Sequence, residues 1–288
     1  MSYKGVPTVR KRLLGGQLRR IREARGVSVD DVANRLGMSV PAVRRQESGH
    51  TATSVADVMA YAKIYELDDL ELQKRLTELA KHGRVRGWWT AYGSTVGPTA
   101  VDVADAEDLA TEIRTFQPLV IPGIFQTRDY SSTVIDVGIG LRPEENSPSV
   151  EDLLTLRERR KRILEGDNPP QVYAIIGEAA VLTKVGGPKV MHEQLNHLVT
   201  LGERRNIHIQ MLPFSAGAHV GMSGAFVVLS FGDTLDGSIT YLEKGGLDSF
   251  NDDPVEVRVS ATRFTHLQAQ ALSVTDTRTY LQQAISAD

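Results

Sequence analysis

The 288-residue sequence contains no cysteine. That excludes a disulfide framework, thiolate zinc fingers and cysteine nucleophiles. No apolar run approaches about 18 residues, so no transmembrane helix is expected. The basic N-terminal stretch MSYKGVPTVRKRLLGG lacks the apolar segment of a secretory signal. These absences point to a cytoplasmic protein without a membrane partner. Aromatic residues are few, at 6%, yet 41% of the chain is hydrophobic. That is enough to build a core and argues against wholesale disorder. The length fits one large domain or two ordinary ones, and no repeat or low-complexity segment is visible.

The charges are not evenly mixed. Residues 1–87 hold 17 Lys/Arg and 10 Asp/Glu, a net of +7, and residues 88–288 hold 16 and 26, a net of −10. The first 50 residues alone carry 11 basic against 4 acidic side chains. Such asymmetry suits a small nucleic-acid-facing domain joined to one that is not, although solvated charges can also cluster by chance.

The N-terminal third reads as short capped helices. Leu14, Leu18 and Ile21 form an apolar stripe, with Arg19, Arg20, Arg22 and Arg25 on the other faces. Gly26 is placed to end that helix. Ser28 is an N-cap candidate, with Asp30 and Asp31 beside the positive helix end. Val29, Val32, Ala33 and Leu36 give the second helix its apolar face, and Gly37 stops it. Ser39 opens a third helix, VPAVRRQESG, in which Pro41 is tolerated in the first turn, and Gly49 closes it. Thr53 or Ser54 opens a fourth, with Val55, Val58, Met59 and Ala62 expected to face inward.

The stretch LGGQLRRIREARGVSVDDVANRLGMSVPAVRRQESG, within residues 14–67, resembles the lambda-repressor/Cro-like (XRE) helix-turn-helix family. The matching features are Leu18-Arg19, the Arg22–Gly26 run, Ala33, Leu36-Gly37, Ser39, Val43, and Glu47 followed by Gly49. The resemblance implies that the third helix enters the major groove with its N-terminal residues. Val40, Pro41, Ala42, Arg44 and Arg45 are then placed near base edges, while Val43 points into the bundle. Arg44 is the first choice for guanine readout and Arg45 the second, the alternative for each being a phosphate contact. Val40 or Ala42 can touch a thymine methyl. Ser28 and Ser39 suit phosphate contacts as well as capping, and Lys11, Arg12, Arg19, His50 and Thr51 are further backbone candidates. Glu47 is expected to be structural. Gln46 departs from the family, in which an apolar residue is common, and is expected at the helix edge.

Residues 68–82 continue as a helix, and the Gly-rich segment after them marks a boundary. The expected organisation is residues 1–82 as the helix-turn-helix domain, 83–95 as linker and 96–288 as an α+β effector and dimerisation domain. The whole is mainly α with a smaller α+β part. Trp88 and Trp89, at the junction, are expected to seal or fill a core rather than bind a ligand. Beyond them, helices are expected at 105–117, 126–137, 149–165, 188–205, 255–271 and 273–285. An extended apolar loop is expected at QPLVIPGIFQT, and strands at 172–176, 207–211, 225–231 and 239–243.

The phrases PLVIPGIFQTRDY, GEAAVLTKVGGPKVMHEQLNHL, RRNIHIQMLPFSAGAHVGMSGAFVVLSF and ITYLEKGG resemble, in that order, an actinobacterial effector domain. In that family it follows an XRE helix-turn-helix in one chain of an antitoxin-like transcriptional regulator. The resemblance covers nearly all of residues 88–287. It implies a regulator of development or specialised metabolism, often encoded beside a small partner protein. The stretch AEDLATEIRTF departs from the more acidic helix usual there.

Catalytic patterns are not evident. His192 and His197 are five apart, where a two-histidine metal face wants four, and His208 and His219 fall elsewhere, so no metal site is expected. GMSGA is not G-x-S-x-G, and VGGP lacks the Lys-Ser/Thr of a phosphate loop. No enzyme and no cofactor are expected. The basic run Arg157, Arg159, Arg160, Lys161 and Arg162 reads either as a solvated face paired with Glu158 and Glu165 or as a contact for an acidic partner. Ile121, Phe125, Pro213, Phe214 and His219 are candidates for a ligand pocket or partner groove, against ordinary packing. The expected function is a homodimeric regulator on a palindromic double-stranded operator, its C-terminal domain receiving a protein or small-molecule signal. The alternative is an antitoxin-like protein that binds a small partner encoded nearby and autoregulates its promoter.

Overall fold

The computed structural model describes residues 8–84, 87–139, 148–232, 237–243 and 249–287. The chain divides into two compact units, Met1–Ser94 with Val101–Ala106, and Thr95–Ala100 with Glu107–Asp288.

In the first unit, α1 (Val9–Ala24), α2 (Val29–Leu36), α3 (Val40–Glu47), α4 (Val55–Ile64) and α5 (Leu70–Arg84) are separated by the expected capping chemistry. After α1, Gly26 takes φ 64° and Val27 N–H returns to the Arg22 carbonyl at 3.1 Å. After α2, Gly37 takes φ 66° and Met38 N–H returns to the Ala33 carbonyl at 2.9 Å. Both are left-handed terminations that only glycine adopts without strain. Ser54 opens α4 with a reciprocal capping box to Asp57. The core joins Leu14 and Leu18 of α1, Val32 and Ala33 of α2, Val43 of α3, Val58, Tyr61 and Tyr65 of α4 and its end, and Leu76 and Ala80 of α5. Each large buried side chain contributes about 1.5–3 kcal/mol. Met59 is 52% exposed, contrary to the inward position expected of it. Tyr61, two positions on, occupies the inward face in its place. Trp89, in the 3-10 turn Trp88–Tyr92, is buried in this unit beneath the Arg10 guanidinium, 4.9 Å from the ring centroid. Arg10 also pairs with Asp105 of α6 (Pro98–Leu109). In the expected linker, Val85 and Arg86 lie outside the described residues, as do Lys244–Gly246 of the ITYLEKGG phrase.

The second unit is built on a six-stranded sheet in the order β3-β2-β1-β4-β5-β6. β1 (Glu112–Gln117), β2 (Gln171–Gly177) and β3 (Ile207–Leu212) are parallel. β4 (Phe226–Ser230), β5 (Ile239–Leu242) and β6 (Ser249–Asn251) continue antiparallel from β1. The helices are α7 (Arg128–Ile139), α8 (Val150–Arg160), α9 (Glu178–Leu182), α10 (Pro188–Leu201), α11 (Pro254–Gln270) and α12 (Val274–Ala287). One sheet face, with Phe116, Ile175, Leu212, Phe226 and Val228, packs on Val257, Phe264 and Leu267 of α11. The fold is mainly α with a smaller α+β part, as the pattern implies.

Residues 105–117 are not one helix. α6 starts at Pro98 and stops at Leu109, and Glu112–Gln117 is the central strand β1. The segment E-I-R-T-F-Q carries β-branched Ile113 and Thr115, but its apolar Ile113 and Phe116 are three apart rather than alternating, and backbone partners on both sides decide the outcome. β6 and α9, of three and five residues, are too short to show a period in the sequence.

Candidate nucleic-acid interface

Helices α2 and α3, joined by Gly37-Met38-Ser39, form the helix-turn-helix. Val43 is fully buried and fixes which face of α3 looks inward. Pro41, Arg44 and Arg45 are exposed on the outward side. Among the described residues neither arginine has an ion pair or side-chain hydrogen bond, so both forks are available to a ligand. Ala42 is half-buried, and Val40 is half-buried against the core, so its apolar surface is partly engaged already.

The serines differ. Ser28 accepts from Asp31 N–H at 3.0 Å and donates to Asp31 Oδ2 at 2.6 Å, so its hydroxyl is taken up in capping. Ser39 occupies the N-cap position of α3 without a side-chain cap bond and is exposed. Pro41 has no N–H, and Ala42 and Val43 donate theirs to the Ser39 carbonyl at 2.8 and 3.1 Å, so the hydroxyl is the group that Ser39 offers to a ligand.

Two glycines bring α1 against the end of α3. A Cβ on Gly49, at φ 76°, would lie 2.7 Å from Arg12 N, and one on Gly15 would meet the Gln46 and Glu47 carbonyls. This approach sets half-buried Lys11 and Arg12 beside exposed His50 and Thr51. The Ser48 hydroxyl lies 2.9 Å from His50 Nδ1. Arg19 is exposed but engaged with Glu23 at 2.8 Å, one turn along α1.

Behind this surface lies a polar scaffold. Arg22 donates from Nε to Glu47 Oε1 at 2.6 Å and from Nη2 to Oε2 at 3.0 Å, and from Nη1 to the Val27 carbonyl at 3.2 Å. The Glu47 hydrogen bond holds the Arg22 pKa above its usual value, against desolvation. Glu47 is thus structural, as its place in the pattern implies. Gln46 is not at the helix edge. It is 3% exposed, accepts from the Tyr61 hydroxyl at 2.7 Å and donates to Asp57 Oδ2 at 3.3 Å. A polar residue is tolerated there because this chain supplies both partners from α4. Burial raises the Tyr61 pKa. Local sequence gives no sign of the Gln46–Tyr61 bond, whose ends are 15 residues apart.

In the second unit the candidate pocket residues differ in burial. Ile121 and Phe125 are fully buried, with Gln194 of α10 donating to the Phe125 carbonyl at 2.8 Å. His219 lies edge-on to Phe116, whose side chain faces α11, and Phe214 is 65% exposed. Half-buried Pro213 leads into that exposed turn. The basic run is not a uniform charged face. Arg160 is bidentate to Glu107 at 2.7 and 2.6 Å, Lys161 pairs with Glu158, and Arg157 donates to Gln126 Oε1 at 2.8 Å. His192 and His197 lie on α10, and His208 stacks on Tyr173 at 4.8 Å. No helix among the described residues is long and apolar enough to cross a membrane.

The model of a helix-turn-helix domain matches residues 13–74. A family model described as a domain of unknown function, DUF5753, matches residues 100–283. No curated protein and no solved structure matches the chain.

Proposed function

We propose that this chain, which belongs to the DUF5753 family and carries an N-terminal helix-turn-helix DNA-binding domain, is a sequence-specific transcriptional regulator of the XRE type. It works in the cytoplasm and catalyses no reaction. It reads a palindromic operator as a homodimer, through α3 in the major groove. The observation that carries this reading is the outward face of α3, where Arg44 and Arg45 are exposed and, among the described residues, unpaired, while Val43 and the Arg22–Glu47 pair fix the helix from behind. Arg44 reads guanine, Ser39 holds a phosphate beside it, and Lys11, Arg12, His50 and Thr51 follow the backbone. The C-terminal unit supplies the second subunit contact and receives a signal. Genome-wide mapping of bound DNA tests this, followed by anisotropy titrations on the recovered sites across a salt series. Recovery of one shared motif, with affinity falling steeply with salt, is expected. Binding without a shared motif, or indifferent to salt, would refute it.

A second reading is favoured by the exposed apolar side chains of the C-terminal unit, among them Leu119 at 67%, Phe214 at 65% and Met222 at 74%. Such surface suits a protein partner. An antitoxin-like regulator would neutralise a small protein encoded beside it. If that neighbour is harmless when expressed alone, this reading fails.

A further inference from the structure

Helix α11 buries Val257, Ser260, Ala261, Phe264 and Leu267 against its own unit. At about 100° per residue, Val255, Val259, Thr262 and His266 fall on the opposite face, and all four are exposed. Val255 is 57% and Val259 47% exposed. Such a face is costly for a helix that only meets water. Where packing does not decide, unbranched side chains favour the helix, whereas β-branched Val and Thr lose rotamer freedom in it. Two valines and a threonine along the middle of an outward face therefore suit a second packing surface. Arg263, one turn beyond Val259, donates to the Val220 carbonyl at 3.3 and 3.2 Å. That holds Val220, itself 44% exposed, beside the stripe.

The charges along α11 identify the surface that would cover it. The first turn is acidic, with the Asp253 cap and Glu256, and the later half carries Arg263 and His266. Glu256 and His266 have no side-chain hydrogen bond or ion pair among the described residues. Arg263 has only neutral partners among them, the Val220 carbonyl, the Ser223 hydroxyl and the Phe226 ring. Glu256 and Arg263 are seven residues apart, so they lie on one flank of the stripe. A twofold axis beside Val259 and Ser260 sets a second α11 antiparallel to the first and maps position 256 onto 263 and 253 onto 266. Glu256 of each copy then meets Arg263 of the other, Asp253 meets His266, and the two Val259 side chains touch at the axis. Arg258, on the other flank, faces Thr262 of the copy. The helix dipoles also run in opposite directions. A parallel pairing would set Glu256 on Glu256 and Arg263 on Arg263, which repel.

We propose that α11 is the dimer contact of the C-terminal unit, packing antiparallel about Val259 on the α11 of a second copy of this chain. This supplies the surface for the homodimer of the regulator reading and rests on that reading, but it is tested without DNA.

The full chain is followed by sedimentation velocity. A contact built on one helix of about 25 Å is smaller than a standard interface, so the dimer is titrated over a concentration series. Val259→Glu should weaken it at least tenfold and leave the melting temperature unchanged, because Val259 faces outward. The chain has no cysteine, so a single introduced thiol reports on register. Under mild oxidation V259C should join into a covalent dimer. E256C should not, because its two thiol-bearing positions stand about 10 Å apart along the helices, beyond disulfide reach. A chain that stays monomeric throughout the series overturns the proposal. A dimer that V259E leaves as strong as wild type overturns it too, by placing the contact elsewhere. That result spares the regulator reading, which falls only if mapped DNA yields no shared motif. Should V259E melt far below wild type, the cysteine pair decides. A V259C chain that does not cross-link, or an E256C chain that cross-links as readily, overturns the antiparallel contact.

Discussion

Removing the Glu47 carboxylate leaves the Arg22 guanidinium, whose side chain is 10% exposed, without its bidentate partner. A buried charge stripped of its partner costs about 3–5 kcal/mol, whereas replacing both partners by apolar residues is often near neutral. Glu47→Ala should therefore lower stability by about that amount in urea unfolding, and the double variant Arg22→Met/Glu47→Leu should recover most of it. A double variant as unstable as the single one would show that the pair is needed for more than mutual neutralisation. The residues in front of this pair should affect DNA instead. Arg44→Ala should leave folding intact, weaken the preferred site by about 1–3 kcal/mol and relax choice at one base position. Lys11→Ala should weaken all sequences alike and flatten the salt slope by about one. Titrations on the mapped site and on scrambled DNA separate the two. Equal losses on both sequences for Arg44→Ala would move that side chain from base to phosphate.

At the scale of the element, α6 carries a test that its sequence did not announce. Asp102 is half-buried, and its pKa is pushed up to about 6, chiefly by burial and further by Asp105, against the pull of Arg12. Its ordinary value is 3.8. A folded pKa above the unfolded one means the native state holds the proton more tightly. This contribution is therefore full below about pH 4 and is lost as pH rises through about 6. Asp102→Asn should match wild type near pH 4 and exceed it by about 1–3 kcal/mol at pH 8. An advantage independent of pH in urea unfolding would rule the titration out. Helix ends are the elements' most legible feature in the sequence. Gly26, Gly37 and Ser54 could be read as helix ends because capping is chemistry between residues a few positions apart. The outward face of α3 is what the family resemblance implies, with Val43 turned into the bundle, where it is fully buried. The strand at Glu112–Gln117 is not legible in its own residues, because its β character depends on β2 and β4, which lie far off in the chain. The roles of Gln46, Arg10 and Arg160 were hidden for the same reason, since Tyr61, Asp105 and Glu107 are 15, 95 and 53 residues away. Arg157 looked like one member of a charge run, and only the fold separates it from Arg160.

For the whole molecule, a net charge of −3 averages two opposite parts, +7 before residue 88 and −10 after it. DNA attracts the first and repels the second, which leaves the small basic unit as the contact surface. One α3 reaches only a few base pairs, too few to single out a site in a genome, so the proposed operator reading calls for a twofold assembly. The acidic C-terminal unit is the part suited to hold two such heads together, because what binds there does not compete with DNA for the basic surface. Two chains should therefore saturate one mapped duplex in sedimentation. Hydroxyl-radical footprints should show two protected patches related by a dyad, with half-sites about 10–10.5 base pairs apart or a multiple of that spacing. A single chain at saturation, with one asymmetric patch, would mean that α3 gains its selectivity from contacts within one subunit. The search for them would then turn to the surface formed by Lys11, Arg12, His50 and Thr51.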